Sequence, residues 1–153
     1  MILTLILTIL PSVVYSQDLV LPIIEIVDGD TIKTQTMLPY PLNEVSIRIF
    51  GIDTPEKPAK SYSDTGKLGR ADCHKEAKLA LRAKSFLIKF QENYHDYMIV
   101  RNYDWGKFGG RMVGEVLFVD KITREEVSVG ELMIDQGFAV PYFGKAKTHD
   151  WCL

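Results

Sequence analysis

Apolar and polar side chains alternate most regularly in the segment that begins at Glu44. Val45, Ile47 and Ile49 share one side of this segment, and Arg48 lies on the other. A period of two residues is typical of a β-strand with one buried face. We therefore predict a strand here, with Arg48 on the face opposite the core.

Four other segments predict strands. Residues 21–27 are apolar and β-branched, Asp28-Gly29-Asp30 is a tight-turn sequence, and residues 31–37 return as a second strand. Residues 97–103 and 111–120 predict two more, separated by a turn that contains glycine. The chain therefore has five predicted strands.

Two helices are predicted as well. The longer one runs from an N-cap at Asp72 to about residue 90, and residues 128–136 predict a short helix that ends at Gly137. The long helix carries a mixed but mostly apolar stripe, formed by Ala77, Ala80, Leu81, Lys84, Leu87 and Ile88.

Five strands with the long helix between the third and the fourth give the element order of an OB-fold, a small Greek-key barrel. We therefore predict a β-rich α+β fold: a five-stranded OB-fold barrel with one long and one short helix. The order alone fits other β-rich chains too. Residues 58–70 are polar and predict a mobile loop, and residues 138–153 form a tail without clear periodicity.

The length and the net charge of the chain exclude one class of function. The chain has 153 residues, which suits one domain, and 46% hydrophobic and 25% charged residues suit a protein with a real core. The net charge of -2 argues against a protein that coats nucleic acid, because such proteins draw their affinity from Lys and Arg. An enzyme remains compatible with this charge if cations are concentrated locally.

Residues 1–16 predict a signal peptide. They contain no charged side chain, and Pro11 breaks an apolar run that is shorter than the about 20 residues of a spanning helix. Because basic side chains are missing from its start, an uncleaved anchor or a different start site is the alternative. Cleavage after Ser16 would leave residues 17–153 as one domain, secreted or periplasmic, without stable membrane association. Nothing requires more than a monomer.

The two cysteines, Cys73 and Cys152, allow two interpretations. In an oxidising compartment such a pair can close a large loop through a disulfide, and the predicted export slightly favours this. Two unrelated thiols, one of them on the long helix, are the alternative.

Three carboxylates and two arginines are the candidate chemistry. Asp30, Asp53 and Glu56 stand at the ends of strands that a barrel would bring side by side, and carboxylates with a backbone carbonyl are ligands for a hard cation. Turn formation alone also explains these sequences. Arg48 and Arg111 could bind phosphate bidentately, whereas a surface salt bridge is the ordinary explanation for each arginine taken singly.

Four segments carry a family resemblance. Residues 27–31 (VDGDT), 48–56 (RIFGIDTPE) and 107–111 (KFGGR) closely resemble the signatures of the staphylococcal nuclease (thermonuclease) family, and residues 131–139 resemble its short helix. The match spans about residues 23–142. The last signature has one additional glycine, and the chain resembles a short exported type that lacks the family's long basic C-terminal helix.

This resemblance implies an OB-fold and a calcium-dependent endonuclease that hydrolyses DNA and RNA and leaves 3′-phosphate ends. By matching positions, Ca²⁺ would be bound by Asp30, Asp53 and the Thr54 carbonyl. Glu56 would orient or deprotonate the attacking water, while Arg48 and Arg111 would hold the phosphate. A Cys73–Cys152 bridge would fasten the shortened tail to the long helix.

Further residues are candidates for contact with substrate. Phe108 and Tyr142 could stack a base, although core or loop packing explains aromatic residues equally well. Lys107 and other cations near the predicted site would collect the nucleic acid; the others are Lys57, Lys60, Lys67, Arg70, Lys145 and Lys147.

Two other functions compete with a nuclease. The first is a catalytically inactive OB-fold module that only binds nucleic acid, and the second is a secreted structural or inhibitory β-barrel. Retention of all three carboxylates and both arginines favours the enzyme over either. The preference between DNA and RNA stays open.

Overall fold

The computed structural model describes residues 18–40, 43–107, 109–144 and 146–153. The predicted signal peptide, residues 1–16, lies outside the described residues and stays a prediction. Within the described ranges, no helix combines the length and the apolar character needed to cross a membrane.

Over the residues that the structure describes, the fold is β-rich with three helices. The helices are α1 (Tyr62–Thr65), α2 (His74–Gln91) and α3 (Val129–Asp135). The strands are β1 (Leu19–Pro22), β2 (Glu25–Ile26), β3 (Thr31–Gln35), β4 (Glu44–Ile49), β5 (Ile52–Asp53), β6 (Tyr94–Trp105), β7 (Arg111–Asp120), β8 (Glu126–Ser128) and β9 (Val140–Pro141).

One curled sheet dominates the molecule. Its strand order is β1-β6-β7-β4-β3-β2, β8 pairs with β7, and β5 and β9 form a separate two-stranded sheet. Among the described strands, all pairings are antiparallel except that of β4 with β7, which is parallel and places Ser46 beside Arg111. This half-barrel is compatible with a barrel of the OB type.

The segment 19–26 contributes to both edges of the sheet. Its first part, β1, pairs with β6, so that Leu21 lies opposite Met98. Its second part, β2, pairs with β3, where Ile26 lies opposite Ile32. Because one segment pairs at both ends of the strand order, the sheet must curl, and its inner face encloses the core.

The core follows the alternation seen in the sequence. Val45, Ile47 and Ile49 of β4 are buried as predicted, and Phe118 of β7 is fully buried beside them. Leu87 of α2 is also fully buried in this cluster. Side chains of this size each contribute about 1.5–3 kcal/mol on burial, so the sheet and α2 form one packed unit.

The predicted N-cap of α2 and part of its predicted apolar stripe were wrong. Cys73, not Asp72, is the N-cap: its backbone is extended and its Sγ accepts a hydrogen bond from the Glu76 N–H at 3.3 Å. The predicted stripe was confirmed at Ala77, Ala80 and Leu87, which are buried, but it was wrong at Leu81 and Ile88, which are exposed. The buried face consists of Glu76, Ala77, Ala80, Ala83 and Leu87.

Small side chains explain this choice of face. A Cβ added at Gly29, in the turn between β2 and β3, would lie 3.2 Å from the Ala83 Cβ and 3.1 Å from the Thr54 Cγ2. Alanines allow α2 to approach this turn closely, whereas leucine at the same positions would hold the helix away. The packing brings the start of α2 next to residues 53–56.

Other element boundaries differ from the predictions in particular places. β7 has the predicted bounds, but β6 is longer than residues 97–103, and the first predicted strand is divided into β1 and β2. The short strands β5, β8 and β9 and the one-turn helix α1 inside residues 58–70 were not predicted. Their few residues carry too little periodicity to be recognised.

Candidate active site

Five of the predicted site residues line one cavity. It has a volume of about 190 Å³ and lies where the β2–β3 turn, β4, the start of β7 and residues 54–57 meet. It is lined by Val27, Asp28, Asp30, Thr31, Ser46, Arg48, Thr54, Pro55, Glu56, Lys57, Arg70 and Arg111. Four cationic side chains and three carboxylates therefore face one small volume.

Asp30 is buried at the end of the β2–β3 turn. Its Oδ2 lies 2.8 Å from Nη2 of Arg48, and its Oδ1 accepts a 2.8 Å hydrogen bond from the Thr31 hydroxyl. Its carbonyl accepts from the Ile49 N–H, which fixes the turn to β4. Burial raises the pKa of Asp30 to about 6, although Arg48 opposes the shift, and the neighbouring Asp28 raises it further.

The parallel pairing of β4 and β7 brings the two arginines into the same cavity. Arg48 is on the outward face of β4, as the alternation predicted, and Arg111 is the first residue of β7. The Ser46 N–H donates to the Gly110 carbonyl at 2.9 Å, which fixes the entry of β7 against β4. The additional glycine in this turn therefore leaves Arg111 in the cavity wall.

Glu56 is half-buried and is held from two sides. Its Oε2 lies 3.2 Å from Nη2 of Arg70, and its backbone N–H donates to Oε1 of Glu76 at 3.0 Å. Glu76 is itself buried, and its Oε2 accepts a 2.6 Å hydrogen bond from the Asp72 N–H. One carboxylate thus joins the Glu56 segment to the start of α2.

Sequence reasoning did not single out Glu76 as a site residue. Its only local signal is its place in the first turn of α2, where an acidic side chain suits the helix dipole. The contact with residue 56 depends on a loop path that the sequence pattern does not specify.

Asp53 lies in β5 and does not line the 190 Å³ cavity. It is buried and lines an adjacent cavity together with Glu56, under the C-terminal tail. Nη2 of Arg48 is 3.8 Å from Oδ1 of Asp53, so Arg48 contacts Asp30 and Asp53 with the same nitrogen. The two predicted aspartate ligands therefore flank one guanidinium.

A lysine of the tail contacts the same carboxylates. Nζ of Lys147 lies 2.7 Å from Oδ1 of Asp53 and 2.9 Å from Oε1 of Glu56. Burial lowers the pKa of Lys147, but the contacts with Asp53 and Glu56 outweigh burial and raise it overall. Oδ1 of Asp53 has an ion pair in this contact but no hydrogen bond of acceptable geometry in the part of the chain that is described.

A disulfide fastens this tail. Cys73 at the start of α2 is bonded to Cys152, with the two Cα atoms 6.0 Å apart. Nε1 of Trp151 also donates to Oδ2 of Asp53, at 3.5 Å. The tail is therefore attached beside the carboxylates by one covalent and several polar contacts.

The donor chemistry at this site fits a hard divalent cation in part. Asp30 and Asp53 are buried carboxylates that face one cationic nitrogen, and Oδ1 of Asp53 lacks a hydrogen bond within the described ranges. Calcium accepts carboxylate, carbonyl and water oxygens. Among the described residues, however, no cluster of three or more metal-binding side chains is gathered, so the Thr54 carbonyl and water would have to complete the ligand set.

Two residues predicted to contact substrate, Lys107 and Tyr142, do not line this cavity. Lys107 is exposed on the turn before β7, and Tyr142 is half-buried, with its N–H bonded to the Gly51 carbonyl. Phe108 lies outside the described residues. Of the other predicted substrate-collecting cations, Lys57 and Arg70 line the cavity.

Comparison with models of known protein families gives no match, and no curated protein matches the chain.

Proposed function

We propose that the protein is a calcium-dependent nuclease of the thermonuclease type, which hydrolyses internal phosphodiester bonds of DNA and RNA and leaves 3′-phosphate ends. The observation that carries the proposal is the cavity shared by Asp30, Arg48, Glu56 and Arg111. Carboxylates can bind a metal ion and activate water, and guanidinium groups can bind a phosphate. Together around one small volume, these groups suit the attack of water on a phosphodiester.

The sheet supports an OB-fold assignment. If the segment 19–26 is counted as one bent strand, it joins β3, β4, β7 and β6 in a closed order of five strands. The helix α2 then lies between the third and the fourth of them, as the sequence predicts. We propose on this basis that the half-barrel is a five-stranded OB barrel.

Asp30, Asp53 and the Thr54 carbonyl would hold Ca²⁺. Bound there, the ion would neutralise charge on a phosphate oxygen and lower the barrier to attack by water. Ion binding requires both aspartates in their ionised form. Arg48 lies beside both side chains, so a positive charge is near them with or without the ion.

Arg48 and Arg111 would donate hydrogen bonds to the phosphate. The Arg48 side chain is 23% exposed, so its ion pair with Asp30 is shielded from water but open to the cavity. A planar guanidinium can bind two phosphate oxygens at once. Since charge on these oxygens increases in the five-coordinate transition state, both arginines would bind that state more tightly than the substrate.

Glu56 would accept the proton of the attacking water. Its backbone is held by Glu76 and its side chain by Arg70, so its carboxylate has few orientations open to it. A fixed base of this kind typically contributes about 10²–10⁴-fold to the rate. As the P–O5′ bond breaks, the leaving 5′ oxygen would take a proton from solvent, and Glu56 would return the proton of the attacking water to solvent.

The disulfide supports the proposal of export. Such bonds persist in oxidising compartments, and Cys73 and Cys152 are bonded here. We accordingly propose that residues 1–16 are a cleaved signal peptide and that the mature domain acts as a secreted or periplasmic monomer.

An inactive nucleic-acid-binding module is the second candidate. It is favoured by the ion pairs already formed in the cavity: Arg48 with Asp30, and Lys147 with both Asp53 and Glu56. In such a module these pairs would serve stability, and binding would use only the exposed cations.

A digestion experiment separates the two candidates. Supercoiled plasmid DNA and a single-stranded RNA are incubated with the purified protein in Ca²⁺ or in EGTA, and the new ends are tested with a 3′-phosphatase. The nuclease proposal predicts cleavage in Ca²⁺ alone and 3′-phosphate ends on both polymers. DNA that is retarded in a native gel but not cleaved would support the binding module. Cleavage in EGTA that equals cleavage in Ca²⁺ would refute the role of calcium.

A further inference from the structure

The C-terminal tail, residues 146–153, lies against the carboxylates of the proposed site. Lys147 and residues 148–152 form one wall of a cavity whose other wall includes Asp53 and Glu56. The Lys147 ammonium is within 2.9 Å of both carboxylates. One cation of the chain therefore contacts a proposed metal ligand and the proposed base.

The tail is attached close to this contact. The disulfide between Cys73 and Cys152 anchors it beside the first residue of α2, and Trp151 contacts the second oxygen of Asp53. A group on a short tether of this kind has an effective concentration in the millimolar range. The Lys147 ammonium therefore meets the carboxylates far more often than a free amine in solution would.

We propose that Lys147 is a tethered cation that competes with the divalent ion for Asp53 and Glu56. The inference rests on the proposed function, because it takes Asp53 as a ligand of that ion. An ion that coordinates Oδ1 of Asp53 must displace an ammonium that lies 2.7 Å from it. The apparent affinity for the ion is then reduced by the fraction of molecules in which the tail is closed.

Calorimetric titration with calcium chloride tests the competition directly, without any substrate. Lys147→Met retains a side chain of similar length and removes the charge, so it should lower the Kd for Ca²⁺ by about tenfold if the tail is closed nine times in ten. Lys89→Met is the matched control. It is exposed in the last turn of α2, about 22 Å along the helix from its start, and should leave Kd unchanged.

A second variant separates the effect of the tethered contact from the effect of the Lys147 charge. Cys152→Ser keeps Lys147 but releases the tail, and it is preferable to a change at Cys73 because that sulfur caps α2. Cys152→Ser should also lower Kd, and the combined variant with Lys147→Met should be no tighter than Lys147→Met alone, since both remove the same contact. Circular dichroism checks that each variant is folded.

Three outcomes would overturn the inference, and they are distinguishable. An unchanged Kd in Lys147→Met contradicts competition while leaving the calcium proposal intact. A tighter Kd in Lys147→Met with no change in Cys152→Ser shows that charge acts without the tethered contact. A parent protein and variants that all fail to bind Ca²⁺ refute the calcium proposal itself, and the inference with it.

Discussion

The candidate site has two sides that are built differently. On the sheet side, Asp30, Arg48 and Arg111 are fixed by the β2–β3 turn and by the register of β4 with β7. On the tail side, Asp53 and Glu56 are held by the buried carboxylate of Glu76, by Lys147 and by a disulfide-anchored tail. Backbone pairing positions the first group, whereas the second combines one short strand pairing, of Asp53 with Val140, with side-chain contacts between residues distant in sequence.

This difference indicates which side of the site can change its conformation. A residue in a central strand moves only if several ladder hydrogen bonds break together, so the sheet side should be rigid. Apart from the disulfide and the short pairing of β5 with β9, the contacts on the tail side are single hydrogen bonds and ion pairs, and those made by the exposed side chains of Arg70 and Lys147 are weakened by solvent. We therefore expect the sheet side to keep its geometry, and substitutions of the supporting residues Glu76 and Lys147 on the tail side to affect orientation and ion binding.

The largest effect on the sheet side should follow from the loss of Arg111. Arg111→Ala removes a guanidinium from the cavity wall, and we expect kcat for DNA hydrolysis to fall by about 10²–10³-fold, which is typical for a group that stabilises developing charge. KM should change far less. Arg82→Ala, which removes an exposed arginine from α2, is the matched control, and a kcat equal to the parent's in Arg111→Ala would remove this residue from the mechanism.

The sheet side was also the side that the sequence could predict. Alternation over Glu44–Ile49 placed Arg48 on the outward face, and the turn sequence at residues 28–30 placed Asp30 at the rim. Both signals are local, because strand period and turn chemistry are properties of a few consecutive residues. The parallel β4–β7 pairing that adds Arg111 was not predicted, because it joins two strands that are far apart in the sequence.

The tail side was not predictable in the same way. Lys147 and Glu56 are 91 residues apart, and no periodic pattern links them. Even the helix that supports this side was placed one residue early, because Asp72 is an ordinary N-cap while the sulfur of Cys73 is an unusual one. The contacts depend on the path of the loop and on the disulfide, which spacing alone leaves open.

A smaller effect on the tail side should come from Glu76. Glu76→Gln replaces one acceptor oxygen by an amide, so either the Glu56 N–H or the Asp72 N–H loses its partner. We expect kcat to fall by about tenfold, equivalent to about 1.4 kcal/mol, with little change in KM, because the orientation of Glu56 is altered and the cavity wall is not. The loss of a buried hydrogen bond should also lower the free energy of unfolding by about 1–3 kcal/mol.

The kinetic split is the decisive readout for Glu76. A structural role alone would reduce the folded fraction and leave kcat per folded molecule unchanged. Rates normalised to active folded protein therefore distinguish the two roles, and an unaltered normalised kcat would contradict positioning.

The smallest effect concerns the stability cost of the sheet side. Burial raises the pKa of Asp30 in the folded state, to about 6, so the folded protein holds this proton more tightly than the unfolded chain. The resulting stabilisation is complete below the unfolded pKa and is lost as pH rises through the folded value. Asp30→Asn keeps the side chain neutral and should raise the free energy of unfolding at pH 7 by about 1–3 kcal/mol, since the shift of the pKa from 3.8 to about 6 corresponds to at most about 3 kcal/mol.

Urea unfolding without calcium at pH 5 and at pH 7 measures this effect. The parent should lose stability between the two values relative to Asp30→Asn, even though the variant gives up the ion pair with Arg48. A variant less stable than the parent at pH 7 would show that the ion pair outweighs the burial of the charge. The same variant should bind Ca²⁺ more weakly.

The most direct test of the central claim is the rate of DNA hydrolysis by Glu56→Gln in saturating Ca²⁺. Glu131→Gln, an exposed change of the same kind on α3, serves as its control. The account predicts that kcat falls by about 10²–10⁴-fold in Glu56→Gln and stays at the parent value in Glu131→Gln, with both proteins folded. A Glu56→Gln protein that cuts DNA at the parent rate would contradict the claim that this cavity performs the chemistry.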